Sequence, residues 1–330
     1  MFSWKNKKVL VTGAGGFIGS HLTERLVQLG AHVRAFVEYN PRNDAGCLNH
    51  LLLKKNSMLE FFSGDIKEME TVKKAVKNRD FIFNLAALVG IPYSYQHAQE
   101  VVNTNTIGTL NVLIAAKDER VEKIVQTSTS EVYGTALYSP IDEKHPLQPQ
   151  SPYSASKIAA DALAKSFYYS FDLPVAIIRP FNCFGPRQSM RAVIATIISQ
   201  ALRKRVIYLG NTKPRRDFTY VSDTVEGFIK IAQSHKTVGE VINIGTSRDI
   251  SIGELAEKIA NLIGKDVRIK IQNIRMRPEK SEVMLLCADI TKAKRILGWK
   301  PRVSLEEGLK KTVDFIASHL DEYSHDFYAV

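Results

Sequence analysis

Tyr153 and Lys157 stand four residues apart in Tyr153-Ser154-Ala155-Ser156-Lys157. On a helix that spacing brings a phenol and an ammonium to one face. An ammonium, joined by the positive ring of an oxidised nicotinamide, lowers the phenol's pKa and makes it a usable base near neutral pH. Such a pair alone is common on helices, so its meaning rests on what precedes it. Upstream lies Gly13-Ala14-Gly15-Gly16-Phe17-Ile18-Gly19. Gly13 permits a tight turn, Gly16 lets the backbone approach a pyrophosphate, and Gly19 lets a following helix pack closely on the strand. The helix's first N–H groups then face the anion. Between these motifs is Ser128-Thr129-Ser130-Glu131. Thr129 can hydrogen-bond a hydroxyl undergoing oxidation. Glu131 is either an acid or base of the reaction or an ordinary loop carboxylate.

These residues need elements to hold them. Short apolar runs at 9–12, 32–37, 59–62, 81–85, 123–127 and 175–179 predict strands, and 240–244 predicts one more. Helical periodicity falls between them at 18–29, 69–77, 104–116 and 153–171, with Gly30 closing the first helix. Alternation of near-continuous apolar strands with helices implies a parallel, doubly wound α/β sheet. Ligands then bind at the carboxyl ends of its strands, where both Gly13 and Thr129 fall. The second half is less regular. Residues 217–234 read as a turn followed by a helix. Residues 251–263 and 305–319 read as amphipathic helices, with Ser251/Glu254 and Ser304/Glu307 as capping boxes. No internal repeat or low-complexity segment is evident.

Composition narrows the function classes. The 330 residues are 45% hydrophobic and 24% charged, globular values for about two domains. No apolar run approaches the roughly 18 residues of a membrane helix, and the N-terminal stretch does not read as a secretory signal. Cys47, Cys183 and Cys287 are widely spaced, without metal or disulfide spacing, which suggests a reducing cytoplasm. The net charge of +11 suits an anionic ligand or a basic soluble surface. Basic residues are scattered without interleaved aromatics, which argues against nucleic acid as a partner.

The second strand is followed by Glu38, able to accept the ribose hydroxyls of NAD. Arg42 could instead meet the 2′-phosphate of NADP; NAD is the expectation. Asp65 and Ile66 follow the third strand near the adenine. Leu85-Ala86-Ala87 offers small residues beside the cofactor after the fourth.

Taken in order, these motifs resemble the extended short-chain dehydrogenase/reductase family acting on nucleotide sugars. The likeness includes Asn105-Thr-Ile-Gly-Thr-Leu-Asn111, Ser128-Thr-Ser-Glu-Val-Tyr-Gly134, Arg179-Pro-Phe-Asn182, Arg216-Asp-Phe-Thr-Tyr-Val-Ser-Asp223, Arg277-Pro-Glu-Lys280 and Leu297-Gly-Trp299. It spans about residues 7–317. It implies a Rossmann domain (1–180 plus 217–246) and a smaller α/β C-terminal substrate domain (181–216 plus 247–330). By the same likeness Thr129, Tyr153 and Lys157 are the catalytic core. Asn182 and Arg191 hold the sugar nucleotide, and Arg216 and Arg277 bind its diphosphate, unless Arg277 pairs with Glu279 or Glu282. A homodimer through a four-helix bundle is implied too; Ile158, Leu163 and Phe167 are able either to face the second copy or to be buried within the monomer.

Three reactions share this family: 4-epimerisation, uronate decarboxylation and 4,6-dehydration. Epimerases need no carboxylate at 131; dehydratases must also remove a C5 proton and expel the C6 hydroxyl. Deoxythymidine-diphosphate glucose dehydratases place an Asp–Glu pair after the threonine, whereas Ser130 stands here. Dehydratases of GDP-mannose, and uronate decarboxylases, carry Thr-Ser-Glu. Residues 35–40, 91–95 and 185–191 look most like 4,6-dehydratases of the legionaminic-acid pathway, which act on nucleotide-linked N-acetylglucosamine. Ala195 stands where that group usually has proline, a departure expected to alter the base pocket. The resemblance thus favours a UDP- or GDP-N-acetylglucosamine 4,6-dehydratase with Thr129, Ser130, Glu131, Tyr153 and Lys157 at the reaction centre.

Overall fold

The computed structural model describes residues 2–52 and 56–323. The chain opens with β1 (Lys8–Thr12), α1 (Phe17–Gln28) and β2 (His32–Glu38). Then come α2 (Asn49–Leu52), β3 (Leu59–Gly64), α3 (Met69–Val76), β4 (Phe81–Asn84), α4 (Ile91–Gln96), α5 (Ala98–Val102), α6 (Gly108–Glu119) and β5 (Lys123–Thr127). Helix α7 (Pro152–Phe171) leads to β6 (Val175–Pro180), β7 (Asn182–Phe184), α8 (Val193–Arg203), β8 (Val206–Leu209), β9 (Arg215–Tyr220), α9 (Val221–Gln233) and β10 (Val241–Ile244). The remainder is β11 (Asp249–Ser251), α10 (Ile252–Ile263), β12 (Arg268–Ile271), β13 (Leu285–Leu286), α11 (Thr291–Leu297) and α12 (Leu305–Ser318).

Seven strands form one sheet in the order β10-β6-β5-β4-β1-β2-β3, all neighbours parallel. Strand pleating explains why the middle of β1 is apolar at three successive positions. Val9 and Val11 enter one buried cluster with Leu22, Leu26 and Phe228, while Leu10 enters the cluster on the other face with Ile82, Val112 and Leu113. The chain order reverses between β1 and β4, so a crevice opens at their carboxyl ends. A second sheet, β11-β9-β13 with β7 also on β9, lies outside this layer, and β12 pairs with β8.

Several expectations need correction. Residues 217–220 are not a turn but the end of β9, which runs directly into α9. The charges that read as a loop are buried and satisfied: Asp217 accepts hydrogen bonds from Thr246, Ser247 and Ala288. Those four residues pair in the second sheet, so the expected segment 217–246 does not belong wholly to the first. Of the expected segment 247–330, residues 324–330 lie outside the described residues. The helix expected at 104–116 begins earlier as α5 and passes through a π-turn at Asn103–Ile107 into α6. The wider turn lets the Asn105 amide reach inward, donating to the Leu88 carbonyl and Ser156 Oγ at 3.0 Å each. The strand expected through 85 stops at Asn84, where the Thr12 hydroxyl takes the Leu85 and Ala86 N–H groups at 3.1 Å.

The Ser251/Glu254 capping box forms in both directions. Ser304 caps Glu307, but the Glu307 carboxylate turns to Lys311 at 2.7 Å instead of closing its box. Phe167, expected at a subunit face, is buried within the monomer beside Leu173. Among the described residues no helix is long and apolar enough to cross a membrane.

Lys123 ties the far edge of the layer. Its buried ammonium donates to the Ile231 and Ser234 carbonyls and to Thr237 Oγ1 at 2.8, 2.6 and 2.6 Å, closing the end of α9. Lys123→Met strands those acceptors and should lower unfolding stability by about 3 kcal/mol, as a fall in urea midpoint. A midpoint equal to the wild type's would refute this role.

Candidate active site

A cleft of about 1200 Å³ opens at the carboxyl ends of the seven-stranded sheet. Its first wall is the glycine loop. Gly13 adopts φ +66°, and a Cβ there would sit 2.8 Å from the Ala86 nitrogen. A Cβ on Gly19 would lie 2.2 Å from the Gly13 carbonyl oxygen. At Gly16 a Cβ would meet only the Gly13 oxygen, at 3.2 Å, and otherwise open space. The loop is therefore bare on the side facing the cleft and tight behind. Phe17 and Ile18 start α1, whose first turn carries no acid. An anion is thus met by N–H dipoles without a competing carboxylate. This cradle fits a dinucleotide pyrophosphate.

Glu38 is exposed at the end of β2 and lines the cleft with Arg42. Asn40 folds the intervening loop, its Oδ1 accepting from the Arg42 and Asp44 N–H groups at 3.2 and 2.9 Å. Asp65, Ile66, Leu85, Ala86 and Ala87 line the same half. Asp65 also pairs with Lys67 at 3.3 Å.

The catalytic candidates occupy the middle of the cleft. Helix α7 begins where Ser151 and Ser154 cap one another and Pro152 takes the first turn, which presets the direction of Tyr153. Thr129 follows β5 by two residues, accepts the Glu131 N–H at 3.2 Å and hydrogen-bonds the Tyr153 phenol. Burial pushes that phenol well above the usual tyrosine range; the Thr129 hydrogen bond opposes this, and the carboxylates of Glu131 and Asp161 reinforce it. The expected lowering by Lys157 is absent in the chain alone. Burial instead pushes Lys157 down to about 8, with Asp161 opposing. Tyr153 and Lys157 are both buried, 7% and 3% exposed, yet both line the cleft. Ser130 is buried beside them. Cys183 lines the cleft too, but burial pushes its thiol up to about 12, so it is no nucleophile.

The opposite wall carries alternating charges. Arg216 lies 4.0 Å from Glu131 and 3.9 Å from Glu282, and Arg277 lies 3.6 Å from Glu282. Arg277 thus pairs with one of the two acids anticipated for it while still lining the cleft. Its buried Nη1 makes no hydrogen bond, and neither does the buried Oδ1 of Asn182. Arg191 lies over the Tyr93 ring at 5.7 Å, bridging the mouth from the 185–191 loop to α4. All twenty candidate catalytic, cofactor-binding and substrate-binding residues line this one cleft. Glu282 and Tyr93 were missed as site residues. Glu282's only sequence signal was its place near Arg277, and Tyr93 sat in a segment read for resemblance alone. Ala195 does not line the cleft; it is fully buried on α8 in the core, while its neighbours Ile194 and Thr196 line the cleft. Among the described residues no cluster could hold a metal ion.

A doubly wound sheet with a glycine-loop cradle and a Thr–Tyr–Lys group in one cleft defines a dinucleotide-dependent enzyme of the short-chain dehydrogenase/reductase class. Residues 10–312 match the family model described as GDP-mannose 4,6 dehydratase. The human dTDP-D-glucose 4,6-dehydratase is 32% identical over 97% of this chain and 92% of its own. A UDP-glucuronate 4-epimerase from Thermodesulfobacterium geofontis is 33% identical over 94% and 97%. A UDP-glucuronic acid 4-epimerase variant from Bacillus cereus was solved with UDP-4-deoxy-4-fluoro-glucuronic acid and NAD. It superposes with a TM-score of 0.87 at 30% identity, covering 94% of this chain and 99% of that one. The chain belongs to the extended short-chain dehydrogenase/reductase family of nucleotide-sugar epimerases and dehydratases.

The cradle makes a direct prediction. Gly19→Ala places a methyl group against the Gly13 carbonyl. It should weaken dinucleotide binding at least about tenfold, read by fluorescence titration with NADH. Wild-type affinity in this variant would contradict the cradle.

Proposed function

We propose that this protein is an NAD-dependent 4,6-dehydratase of a UDP- or GDP-linked N-acetylglucosamine, forming the 4-keto-6-deoxy sugar as legionaminic-acid synthesis requires. The observation that carries the reading is Glu131. Its carboxylate, 12% exposed, stands in the same part of the cleft as the Thr129–Tyr153 hydrogen bond and bears on the Tyr153 phenol. An epimerisation at C4 needs a base and a hydroxyl partner and has no task for that carboxylate. A dehydration must also take the C5 proton and release the C6 hydroxyl.

Bound NAD supplies a reversible hydride acceptor, so the sugar is dehydrated without net use of cofactor. Gly13, Gly16 and Gly19, with the start of α1 at Phe17 and Ile18, hold its pyrophosphate. Glu38 takes the ribose hydroxyls, Asp65 and Ile66 lie on the adenine side, and Leu85, Ala86 and Ala87 leave room beside the cofactor. The phenol of Tyr153 is protonated in the chain alone, and it ionises once further positive charge joins Lys157 beside it. Tyr153 then takes the C4 hydroxyl proton while Thr129 orients that hydroxyl. The resulting 4-ketone acidifies C5–H, which Glu131 removes. Protonated Glu131, or Ser130, assists the departing C6 hydroxyl. Asn182 and Arg191 hold the sugar nucleotide. Arg216 and Arg277 bind the diphosphate: their contacts to Glu131 and Glu282, at 3.6 to 4.0 Å, exceed hydrogen-bond length and are readily exchanged for phosphate oxygens.

The Thermodesulfobacterium and Bacillus relatives favour a second reading, 4-epimerisation of UDP-glucuronate. Mass analysis after incubation with UDP- and GDP-N-acetylglucosamine and with UDP-glucuronate separates the readings. Dehydration removes one water, decarboxylation removes carbon dioxide, and epimerisation changes no mass. The outer faces of α6 and α7 are proposed to meet a second copy of the chain. Ile107 and Phe171 are 42% and 52% exposed there, with Ile158 and Leu163 half-buried nearby.

Glu131→Gln should abolish water loss and solvent deuterium exchange at C5, while transient NADH fluorescence still reports C4 oxidation. Normal dehydration by this variant would exclude Glu131 as the C5 base.

A further inference from the structure

The buried carboxylate of Asp161 has no part in the steps above. It lies on α7 four residues beyond Lys157, one helical turn behind the ammonium, and is 2% exposed. Its Oδ2 accepts from Ser128 Oγ at 2.7 Å and from Arg179 Nε and Nη2 at 3.2 and 2.9 Å. Its Oδ1 is buried without a hydrogen-bond partner. Both donors lead into the cleft: Ser128 immediately precedes Thr129, and Arg179 precedes Pro180, with Asn182 two residues further. Arg179 continues the network to the Tyr133 hydroxyl at 3.0 Å, and Tyr133 donates to Asn243 at 2.8 Å. Burying an ion pair is costly and is weak evidence for stability, so packing alone is a poor account of it.

We propose that Asp161 is the positioning residue of the Tyr153–Lys157 pair, holding Lys157 as an ammonium from behind while it grips the residues that carry Thr129 and Asn182. The inference rests on the reading above in one respect, that Lys157 works as a cation.

Lys157 faces an unfavourable environment. It is 3% exposed, and burial pushes it down to about 8, close to working pH. Among the described residues Asp161 is the charge that raises it again. Other titratable groups stand on the elements packed against α7. They are Glu131 and Tyr133 in the 130–133 turn, Arg179 on β6, Tyr93 and Tyr95 on α4, Glu100 on α5, and Lys117, Asp118 and Glu119 late on α6. The same carboxylate also opposes ionisation of Tyr153, one turn further away.

Trace acylation of the Lys157 amine across pH, read by mass spectrometry on the full-length protein, reports its titration without any sugar substrate. Asp161→Asn should move that titration down by about one pH unit. The double variant Asp161→Asn/Arg179→Gln removes both charges and leaves an amide pair in their place. It should regain thermal stability yet keep the lowered Lys157 titration. If the pair were merely structural, the double variant would regain both. An unchanged Lys157 titration in either variant overturns the proposal, and if only the double variant folds, its titration decides. A failed dehydratase reading would appear separately, as no water loss by the wild-type enzyme, and leaves this titration intact.

Discussion

A parallel sheet forces all its strands to end on one edge, and everything functional in this protein depends on that. β1, β4 and β5 run side by side and deliver the glycine loop, residues 85–87 and Thr129 to a single crevice. Between β1 and β4 the direction of winding reverses, so no crossover helix covers the gap. The second sheet closes the cleft from the other side. Its strand β9 carries Arg216 to the cleft, while the start of β7 brings Asn182. The residues proposed for substrate and those proposed for cofactor therefore meet because two sheets share one space, although they are far apart along the chain.

Electrostatics then decides what that space can do. The centre of the cleft holds Tyr153, Lys157, Glu131 and Arg216 close together and largely buried. Burial alone would neutralise each of them. The phenol does stay protonated in the chain by itself. The ions survive because each has a partner: Glu131 and Glu282 for Arg216, Asp161 for Lys157, Arg179 for Asp161. Where contacts exceed hydrogen-bond length, as along the Arg216 chain, a diphosphate can replace them at modest cost. Where they are short and buried, as between Asp161 and Arg179, they act as fixed scaffolding.

The motifs that were legible are those whose meaning is local. Turn chemistry at Gly13 and Gly19, the one-turn spacing of Tyr153 and Lys157, and the apolar strands that enclose them are each written within a few residues. The alternation of strand and helix made the parallel sheet readable for the same reason. The seven-stranded order agrees with that reading, and the candidate catalytic and binding residues gather in one cleft. Reading failed where a residue's state depends on a distant partner. The segment opening at Asp217 looks like a turn until Thr246, Ser247 and Ala288 supply donors that let Asp217 be buried in a strand. Phe167 looked available for a subunit contact until Leu173 and the sheet covered it.

From the residues alone came the family, the dinucleotide loop and the Thr–Tyr–Lys chemistry, because helical spacing and glycine stereochemistry are properties of short segments. Tertiary structure alone decided that Glu282 faces Arg216, that Asp161 is buried against Arg179 and Ser128, and that Ala195 lies in the core rather than along the cleft. Those outcomes depend on charges and surfaces brought together by folding, and burial sets both the strength of a charge pair and the face a side chain turns toward the cleft.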